Sequence, residues 1–389
     1  MKNKFIMITV LFLIIFLGLF FIPKGFNDKC KNLPTNEKPS CWKLEFENTV
    51  RKKGIEEGFE LLSNLYTSDT DFAATCHDYT HLIGEEAYKR FLKKEKFNLS
   101  DTSSYCGYGF YHGFIISLFK EGEGKEEASN FCKYADDLLS HSTRTVVLDC
   151  FHGIGHGATD FNTESIKNLS DLNLVVNNSL KICSDISDKK EEKERCVDGV
   201  YHSVLDTSIS NEKVIGIFKQ NGPFSFCNAQ LRENRYSCFT SLGFLVMYLN
   251  ENDFDKSLVQ VQSSLSSNYA EPLIRQMAGF EAYRIVGKGE FSGDLLSCKK
   301  IAINLKEQCI KGLVEGATDF GEPGKEEDGI IKMCNNTILD LEEQELCLKH
   351  ATIYFEAYFG GEKSKNFCNL VGERYCDYMA LKDKYGQNN

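Results

Sequence analysis

Proline is scarce in this chain, with six residues among 389. Because proline breaks the interior of a helix, its scarcity suits long helices. Basic residues are in the minority, since 56 acidic residues outnumber 45 basic ones and the net charge is −11. Nucleic acid and anionic membrane surfaces require clustered lysine and arginine. The charge therefore predicts no nucleic-acid partner.

Several motifs of well-defined chemistry are absent from the sequence. No two cysteines are separated by two residues, which removes the common spacings of structural zinc, iron–sulfur clusters and covalent haem. The chain also has no Gly-x-Ser-x-Gly elbow, and its glycine-rich segments lack the lysine of a phosphate-binding loop. These absences disfavour serine-hydrolase and nucleotide chemistry.

Cysteine is abundant, with sixteen residues. That even number, without metal-binding spacings, is typical of disulfides in an oxidising compartment, so we expect an extracytoplasmic protein. From Cys132 onward the cysteines form six neighbouring pairs: 132 with 150, 183 with 196, 227 with 238, 298 with 309, 334 with 347 and 368 with 376. Four cysteines remain for one or two further bridges: Cys30, Cys41, Cys76 and Cys106.

The apolar run at residues 5–22 is long enough to cross a membrane as a helix. Lys2 and Lys4 precede it, and no cleavage site or lipobox cysteine follows it, which favours an uncleaved signal-anchor. The sequence therefore predicts a membrane contact through this transmembrane helix, with residues 1–4 cytoplasmic. A juxtamembrane linker at 23–40 and one extracytoplasmic cysteine-rich domain at 41–389 follow.

The spacing of apolar residues is mainly helical, and few segments alternate as strands do. The expected helices are 44–66, 71–94, 103–120, 144–158, 191–205, 235–250, 271–286, 305–318 and 341–359.

A short signature recurs along these helices: a cysteine, a small residue three positions later, and histidine or glutamate six positions later. Its copies are Cys106/Gly109/His112, Cys150/Gly153/His156, Cys196/Gly199/His202 and Cys309/Gly312/Glu315. The segment Gly-Ala-Thr-Asp-Phe at 157–161 reappears at 316–320, which indicates internal duplication. The signature advances by about 30 to 46 residues, a period typical of helical hairpins.

The signature also indicates how the helices pack. Its cysteine and small residues share one helix face, and glycine there should allow close packing against the partner helix that the disulfide tethers. We therefore predict an all-α fold of disulfide-stapled helical-hairpin repeats, forming an α-solenoid or an α/α toroid. Its His-rich half spans about 70–210 and a duplicated His-poor half about 230–389.

The design resembles the cysteine-stapled Sel1-like repeats in architecture. Cys368-x7-Cys376 and Ser241-Leu-Gly-x4-Tyr248 are similar to motifs of that family. They cover too little of the chain to assign it there.

Six of the eight histidines lie at signature helices in the first half: His77, His81, His112, His152, His156 and His202. Two His-x3-His pairs, 77 with 81 and 152 with 156, place two imidazoles on one helix face, as binding of a single cation requires. His112, His156 and His202 hold the same place in successive repeats, so we expect them to line one surface.

This pattern predicts a site for a divalent transition metal, with zinc favoured over copper, iron and nickel. Asp78, Asp149 and Asp198 are candidate ligands or hydrogen-bond acceptors for the ligating histidines. If one coordination position stays open, the metal would activate water for hydrolysis, with Asp78 as the candidate catalytic base.

The alternative is a non-enzymatic scaffold that binds an envelope protein or peptide, with the histidines as core residues copied by duplication. Glu315 fits either a ligand or a lost site, and we interpret His141 as a loop residue and His350 as structural. Paired carboxylates for carbohydrate chemistry are a weaker alternative, drawn from Glu281, Glu315, Asp149, Asp160 and Asp319. Convergence of the six histidines would favour the metal.

Overall fold

The computed structural model describes residues 28–73, 75–122, 124–139, 146–159, 166–285, 289–321, 325–359 and 361–376. These residues form helices joined by turns and short connections, and they contain no strand. The predicted all-α class is confirmed.

Twenty α-helices follow one another along the described chain. The first ten are α1 (Lys38–Lys52), α2 (Ile55–Ser68), α3 (Thr70–Ala73), α4 (His77–Leu92), α5 (Tyr105–Lys120), α6 (Lys125–Leu139), α7 (Val146–Ala158), α8 (Leu169–Asp185), α9 (Lys190–Ser210) and α10 (Glu212–Asn221). The second ten are α11 (Ser225–Asn228), α12 (Arg235–Ser241), α13 (Gly243–Leu249), α14 (Phe254–Ser264), α15 (Ser267–Ile285), α16 (Ser292–Lys299), α17 (Ile303–Asp319), α18 (Glu326–Cys334), α19 (Leu341–Phe359) and α20 (Gly361–Val371).

The helices form an inner and an outer set. The inner helices pack on one another in chain order, from α4 through α5, α7, α9, the pair α12 and α13, α15 and α17 to α19. The outer helices each pack on an inner neighbour, as α6 does on α7, α8 on α9 and α16 on α17. One outer and one inner helix therefore make up each repeated unit.

Eight disulfides connect all sixteen cysteines. They join 30 with 41, 76 with 106, 132 with 150, 183 with 196, 227 with 238, 298 with 309, 334 with 347 and 368 with 376. The six predicted pairs are confirmed, and the four N-terminal cysteines form two further bridges. In most units the bridge ties the outer helix to the inner helix that follows it.

The glycines of the signature lie where inner helices touch. A Cβ atom on Gly199 of α9 would lie 2.0 Å from the carbonyl oxygen of His152 in α7. In the duplicated half, a Cβ on Gly312 of α17 would lie 2.0 Å from the carbonyl oxygen of Arg275 in α15. Close packing is confirmed, but the prediction that these glycines face the disulfide-tethered outer helix is wrong for α17. Three helical residues turn the chain by about 300°, which places Gly312 about 60° around α17 from Cys309, and there it faces the inner neighbour α15.

Helix boundaries differ from the predicted ones where special backbone conformations intervene. The helix expected at 44–66 is divided at Gly54, whose φ of 129° is accessible to glycine and ends α1 before α2 begins. The helix expected at 71–94 is likewise divided into α3 and α4. Several outer helices, including α6, α8 and α14, were not predicted.

The first and last hairpins meet. The side chain of Tyr66 in α2 lies close enough to that of Tyr358 in α19 for each to influence the pKa of the other. Burial, and then the charges of Glu326 and Asp319, raise the pKa of Tyr66. Residues nearly 300 positions apart in sequence thus share one environment.

Across the part of the chain that the structure describes, no helix is both long and apolar enough to cross a membrane. The predicted anchor at 5–22 lies outside the described residues, as do His141 and Asp160.

Candidate metal centre

Four successive inner helices carry the six histidines. Helix α4 contributes His77 and His81, α5 His112, α7 His152 and His156, and α9 His202. Because these helices pack directly on one another, the imidazoles meet in one continuous cluster. The convergence expected for a metal site is present.

His77, His81 and His112 form a first triad, in which one ring nitrogen from each lies within 4.8 Å of the others. The Nε2 atoms of His77 and His81 are 3.0 Å apart. Nδ1 of His77 donates a hydrogen bond to the carbonyl oxygen of Cys106 at 2.7 Å, which leaves its Nε2 with a free lone pair. Metal-ligating histidines in proteins are typically held in this way.

A left-handed turn presents that carbonyl group. Cys106, Gly107 and Tyr108 have φ values of 59°, 63° and 62° at the start of α5. Positive φ at residues other than glycine costs roughly 1–3 kcal/mol each, and such strain concentrates at functional sites. The turn and the Cys76–Cys106 disulfide together fix the carbonyl oxygen beside His77.

His112, His152 and His156 form the second triad, with ring nitrogens again within 4.8 Å of one another. Nε2 of His152 lies 3.2 Å from Nε2 of His156 and 3.2 Å from Nδ1 of His202. Nε2 of His202 lies 3.5 Å from a carboxylate oxygen of Asp206. Asp206 was not among the candidates, although its position four residues after His202 on the same helix was a readable signal.

His112 belongs to both triads and is the most enclosed of the six, with 2% of its surface exposed. Its ring centre lies 5.1 Å from that of His77 and 4.2 Å from that of His156. Both of its ring nitrogens are buried without a hydrogen-bond partner. A buried polar atom without a partner costs about 1–3 kcal/mol. Hydrogen bonding therefore does not explain why an imidazole is buried at position 112.

Burial favours the neutral form of five histidines in the cluster: His77, His81, His112, His152 and His156. Burial lowers the pKa of His112, His152 and His156 well below the ordinary value, and neighbouring imidazoles lower it further. Burial also lowers the pKa of His77, and burial followed by the charge of His77 lowers that of His81 to about 3. Neutral imidazole is the form that binds metal.

The spacing of the rings matches a tetrahedral ion. With metal–nitrogen bonds of about 2.0 Å, two ligand nitrogens on one zinc lie about 3.3 Å apart. The close nitrogen pairs of the two His-x3-His motifs are separated by 3.0 and 3.2 Å. The two nitrogens of each His-x3-His pair are therefore spaced as two ligands of one tetrahedral ion.

The three aspartates predicted as ligands or hydrogen-bond acceptors are not hydrogen-bonded to the histidines of the cluster in the contacts described below. Asp78 is exposed, although it adjoins His77 in α4. Asp149 is buried and contacts Arg195 at 3.1 Å, and Asp198 contacts the same guanidinium at 3.5 Å. Arg195 thus holds two of the three predicted carboxylates, whereas the carboxylate beside a histidine is that of Asp206.

The duplicated half has a different polar cluster at corresponding helices. Glu315 accepts a hydrogen bond from Nε of Arg275 at 2.7 Å and lies 2.7 Å from Nε2 of His350. Burial opposes ionisation of Glu315, but the bonds from His350 and Arg275 hold its pKa below the ordinary value. Glu281 pairs separately with Arg284 at 2.7 Å. Glu315 is therefore part of a hydrogen-bonded ion-pair network.

One turn along α17, Asp319 accepts a hydrogen bond from the Tyr354 hydroxyl at 3.0 Å. Burial raises the pKa of Asp319 to about 8, so this carboxyl is largely protonated at neutral pH. Tyr354 was not among the residues predicted from the sequence.

Comparison with protein-family models, curated proteins and solved structures finds no match to this chain.

Proposed function

We propose that the protein binds divalent transition-metal ions through the His-rich half of its helical array, in an oxidising extracytoplasmic compartment. The observation that carries the proposal is the pair of three-histidine clusters at ligand spacing. Imidazole ligands suit zinc, copper and nickel, and we favour zinc.

A purely structural role explains the cluster less well. Histidines that serve only packing satisfy their ring nitrogens with carbonyl groups, carboxylates or water. Here both nitrogens of His112 and Nδ1 of His152 are buried without such partners. Nε2 of His152 also faces two other ring nitrogens at 3.2 Å. A shared cation would satisfy lone pairs that otherwise face one another.

The disulfides support an oxidising compartment. All sixteen cysteines are paired, which is typical of proteins that fold outside reducing cytosol. We propose that residues 5–22 anchor the domain in the membrane, so that the metal site faces the extracytoplasmic side.

We also propose that the inner helices close into an α/α toroid with the histidines on its inner wall. The contact between Tyr66 and Tyr358 supports closure, because it joins the first hairpin to the last. Tyr358 keeps 36% of its surface accessible, yet burial raises its pKa well above the usual value. That combination fits a side chain facing an enclosed space inside a ring.

Hydrolysis is the second candidate function. The first triad supplies three histidines, and catalytic zinc sites use three protein ligands with water in the fourth position. Asp78 remains the proposed base at this triad, whereas Asp206, which contacts His202, would serve the second triad.

The test uses the full-length oxidised chain, purified in detergent, incubated with zinc and freed of excess metal. Elemental mass spectrometry measures bound zinc in the native chain and in a variant with His77, His81, His152 and His156 changed to alanine. His350→Ala is the matched control, because it removes a buried imidazole from the other half of the array. Circular dichroism and free-thiol counts verify that each variant is folded and fully oxidised.

We expect stoichiometric zinc in the native chain and in His350→Ala, and loss of zinc in the quadruple variant. No bound metal in the native chain after incubation with zinc, copper, nickel or iron(II) would overturn the proposal. Equal binding by the quadruple variant would also overturn it, and the scaffold function would then be favoured.

A further inference from the structure

We infer that His112 bridges two metal ions, one in each histidine triad, with its ring in the imidazolate form. The inference rests on the proposed metal binding and adds the number of ions and their connection. It starts from the position of one ring between two His-x3-His pairs.

His112 is the only histidine shared by the two triads that the described residues form. Its ring centre lies 5.1 and 5.7 Å from those of His77 and His81, and 5.5 and 4.2 Å from those of His152 and His156. Two imidazoles on one ion, each with a metal–nitrogen bond of about 2 Å, have ring centres at most about 6 Å apart. All four separations satisfy this limit.

The two ring nitrogens of His112 provide the second argument. Both are buried and neither has a hydrogen-bond partner. An imidazole bound to a single ion carries a proton on its other nitrogen, and that N–H group would remain buried and unsatisfied at a cost. A bridge uses both nitrogens. When the second ion binds, this proton passes to solvent and the ring becomes an anion that the two cations stabilise.

Glycines allow the neighbouring helices to approach His112 closely from both sides. A Cβ atom on Gly109 of α5 would lie 2.6 Å from the carbonyl oxygen of His77 in α4. A Cβ atom on Gly113, next to His112, would lie 2.2 Å from the carbonyl oxygen of His81. On the opposite side, a Cβ on Gly153 of α7 would lie 3.5 Å from the His112 ring itself. Without side chains at these points, α4 and α7 approach α5 closely enough for one ring to reach both pairs.

The two ions would differ in their remaining ligands. Nδ1 of His202 lies 3.2 Å from Nε2 of His152, so His202 is placed to complete the second coordination sphere. The first ion has His77, His81 and the bridge, with a fourth position for water. A bridge of one imidazole and two bonds of about 2 Å holds the ions about 6 Å apart.

Copper(II) is the probe for the bridge, because two copper ions joined by an imidazolate are magnetically coupled and lose their paramagnetic signal at low temperature. The full-length oxidised chain is loaded with copper(II), total copper is measured by elemental mass spectrometry, and unpaired spins are counted by electron paramagnetic resonance at liquid-helium temperature. We expect two copper ions per chain, with most of the copper silent.

The pair variants isolate single ions while keeping His112. His77→Ala with His81→Ala, and separately His152→Ala with His156→Ala, should each bind one copper whose spin count equals its copper content. His112→Ala should show a full spin count for whatever copper it retains. His350→Ala should behave like the native chain.

Two copper ions with a full spin count in the native chain would overturn the bridge, as would a single copper per chain. Either result would leave the proposed metal binding intact. Failure to bind copper, zinc or nickel at all would instead refute the proposed function. The pair variants keep the test decisive even if His112→Ala does not fold.

Discussion

Replacement of Gly155 by alanine tests both the packing of the inner helices and the geometry of the site. Gly155 lies in the middle of α7, between His152 and His156. An alanine Cβ there would lie 2.1 Å from the carbonyl oxygen of Cys196 and 2.6 Å from the backbone nitrogen of Val200. Both atoms belong to the backbone of α9, which cannot yield by changing a rotamer.

The expected magnitude follows from these distances. Carbon and carbonyl oxygen atoms in contact lie about 3.3 Å apart, so α7 and α9 must separate by roughly 1 Å. Overpacking of a well-packed interface costs about 1–3 kcal/mol, and a displaced backbone places the result at the upper end. The better helix propensity of alanine returns about 1 kcal/mol. We therefore expect a net loss of about 2 kcal/mol in the free energy of unfolding.

Gly216→Ala is the matched control. Gly216 also lies inside a helix, α10, but a Cβ there would meet no atom within 4 Å. This variant gains helix propensity without a clash and should be more stable than the native chain by about 0.5–1 kcal/mol. Urea titration with the disulfides intact, followed by circular dichroism, measures both changes.

The essential result is that Gly155→Ala lowers the free energy of unfolding whereas Gly216→Ala raises it. The separation of α7 from α9 should also move His152 away from His202 and lower zinc occupancy in Gly155→Ala. If Gly155→Ala were as stable as Gly216→Ala, the close contact between the inner helices would be refuted, together with the site geometry that depends on it.

Three further predictions concern protonation and the disulfides. In the metal-free protein, the free energy of unfolding should fall as pH drops below about 6.5. The fall should reach up to about 1.4 kcal/mol per pH unit for each histidine that is neutral in the folded state but protonated in the unfolded state. Urea midpoints measured from pH 7 to 5 check this, and the quadruple histidine variant should show a much weaker fall. Between pH 6.5 and 8 the pKa of about 8 for folded Asp319 has the opposite effect. The folded state holds a proton that the unfolded chain has released, so stability should decrease as pH rises, and Asp319→Asn should remove that decrease. Replacing Cys334 and Cys347 together with serine should lower the free energy of unfolding by about 3 kcal/mol, since their bridge closes a short loop; an unchanged urea midpoint would contradict this.

The parts of the structure that sequence analysis predicted are those encoded locally. The disulfide pairs of the last two thirds of the chain could be predicted because the partners are neighbouring cysteines, separated by 8 to 18 residues. Part of the histidine cluster was predictable because His112, His156 and His202 repeat at one register position, and stacking of like units brings like positions together. Metal binding itself stays a prediction.

The parts that escaped prediction depend on tertiary contacts. The outer helix α16 is short, with eight residues, and buries few apolar side chains, so its periodicity is weak. The partners of Glu315 lie 40 and 35 residues away in sequence, at Arg275 and His350, and no local pattern connects them. The left-handed turn at Cys106 could not be foreseen either, because two of its three residues are not glycine.

The order of the disulfides has a consequence for how the protein is made. Every cysteine is bonded to the next unpaired cysteine along the chain, so that no bridge encloses or crosses another. If the cysteines are oxidised in order from the N-terminal end, as each segment is released during synthesis, each cysteine meets its correct partner first. Native connectivity would then arise by default during synthesis, with little need for an isomerase to correct mispaired bridges.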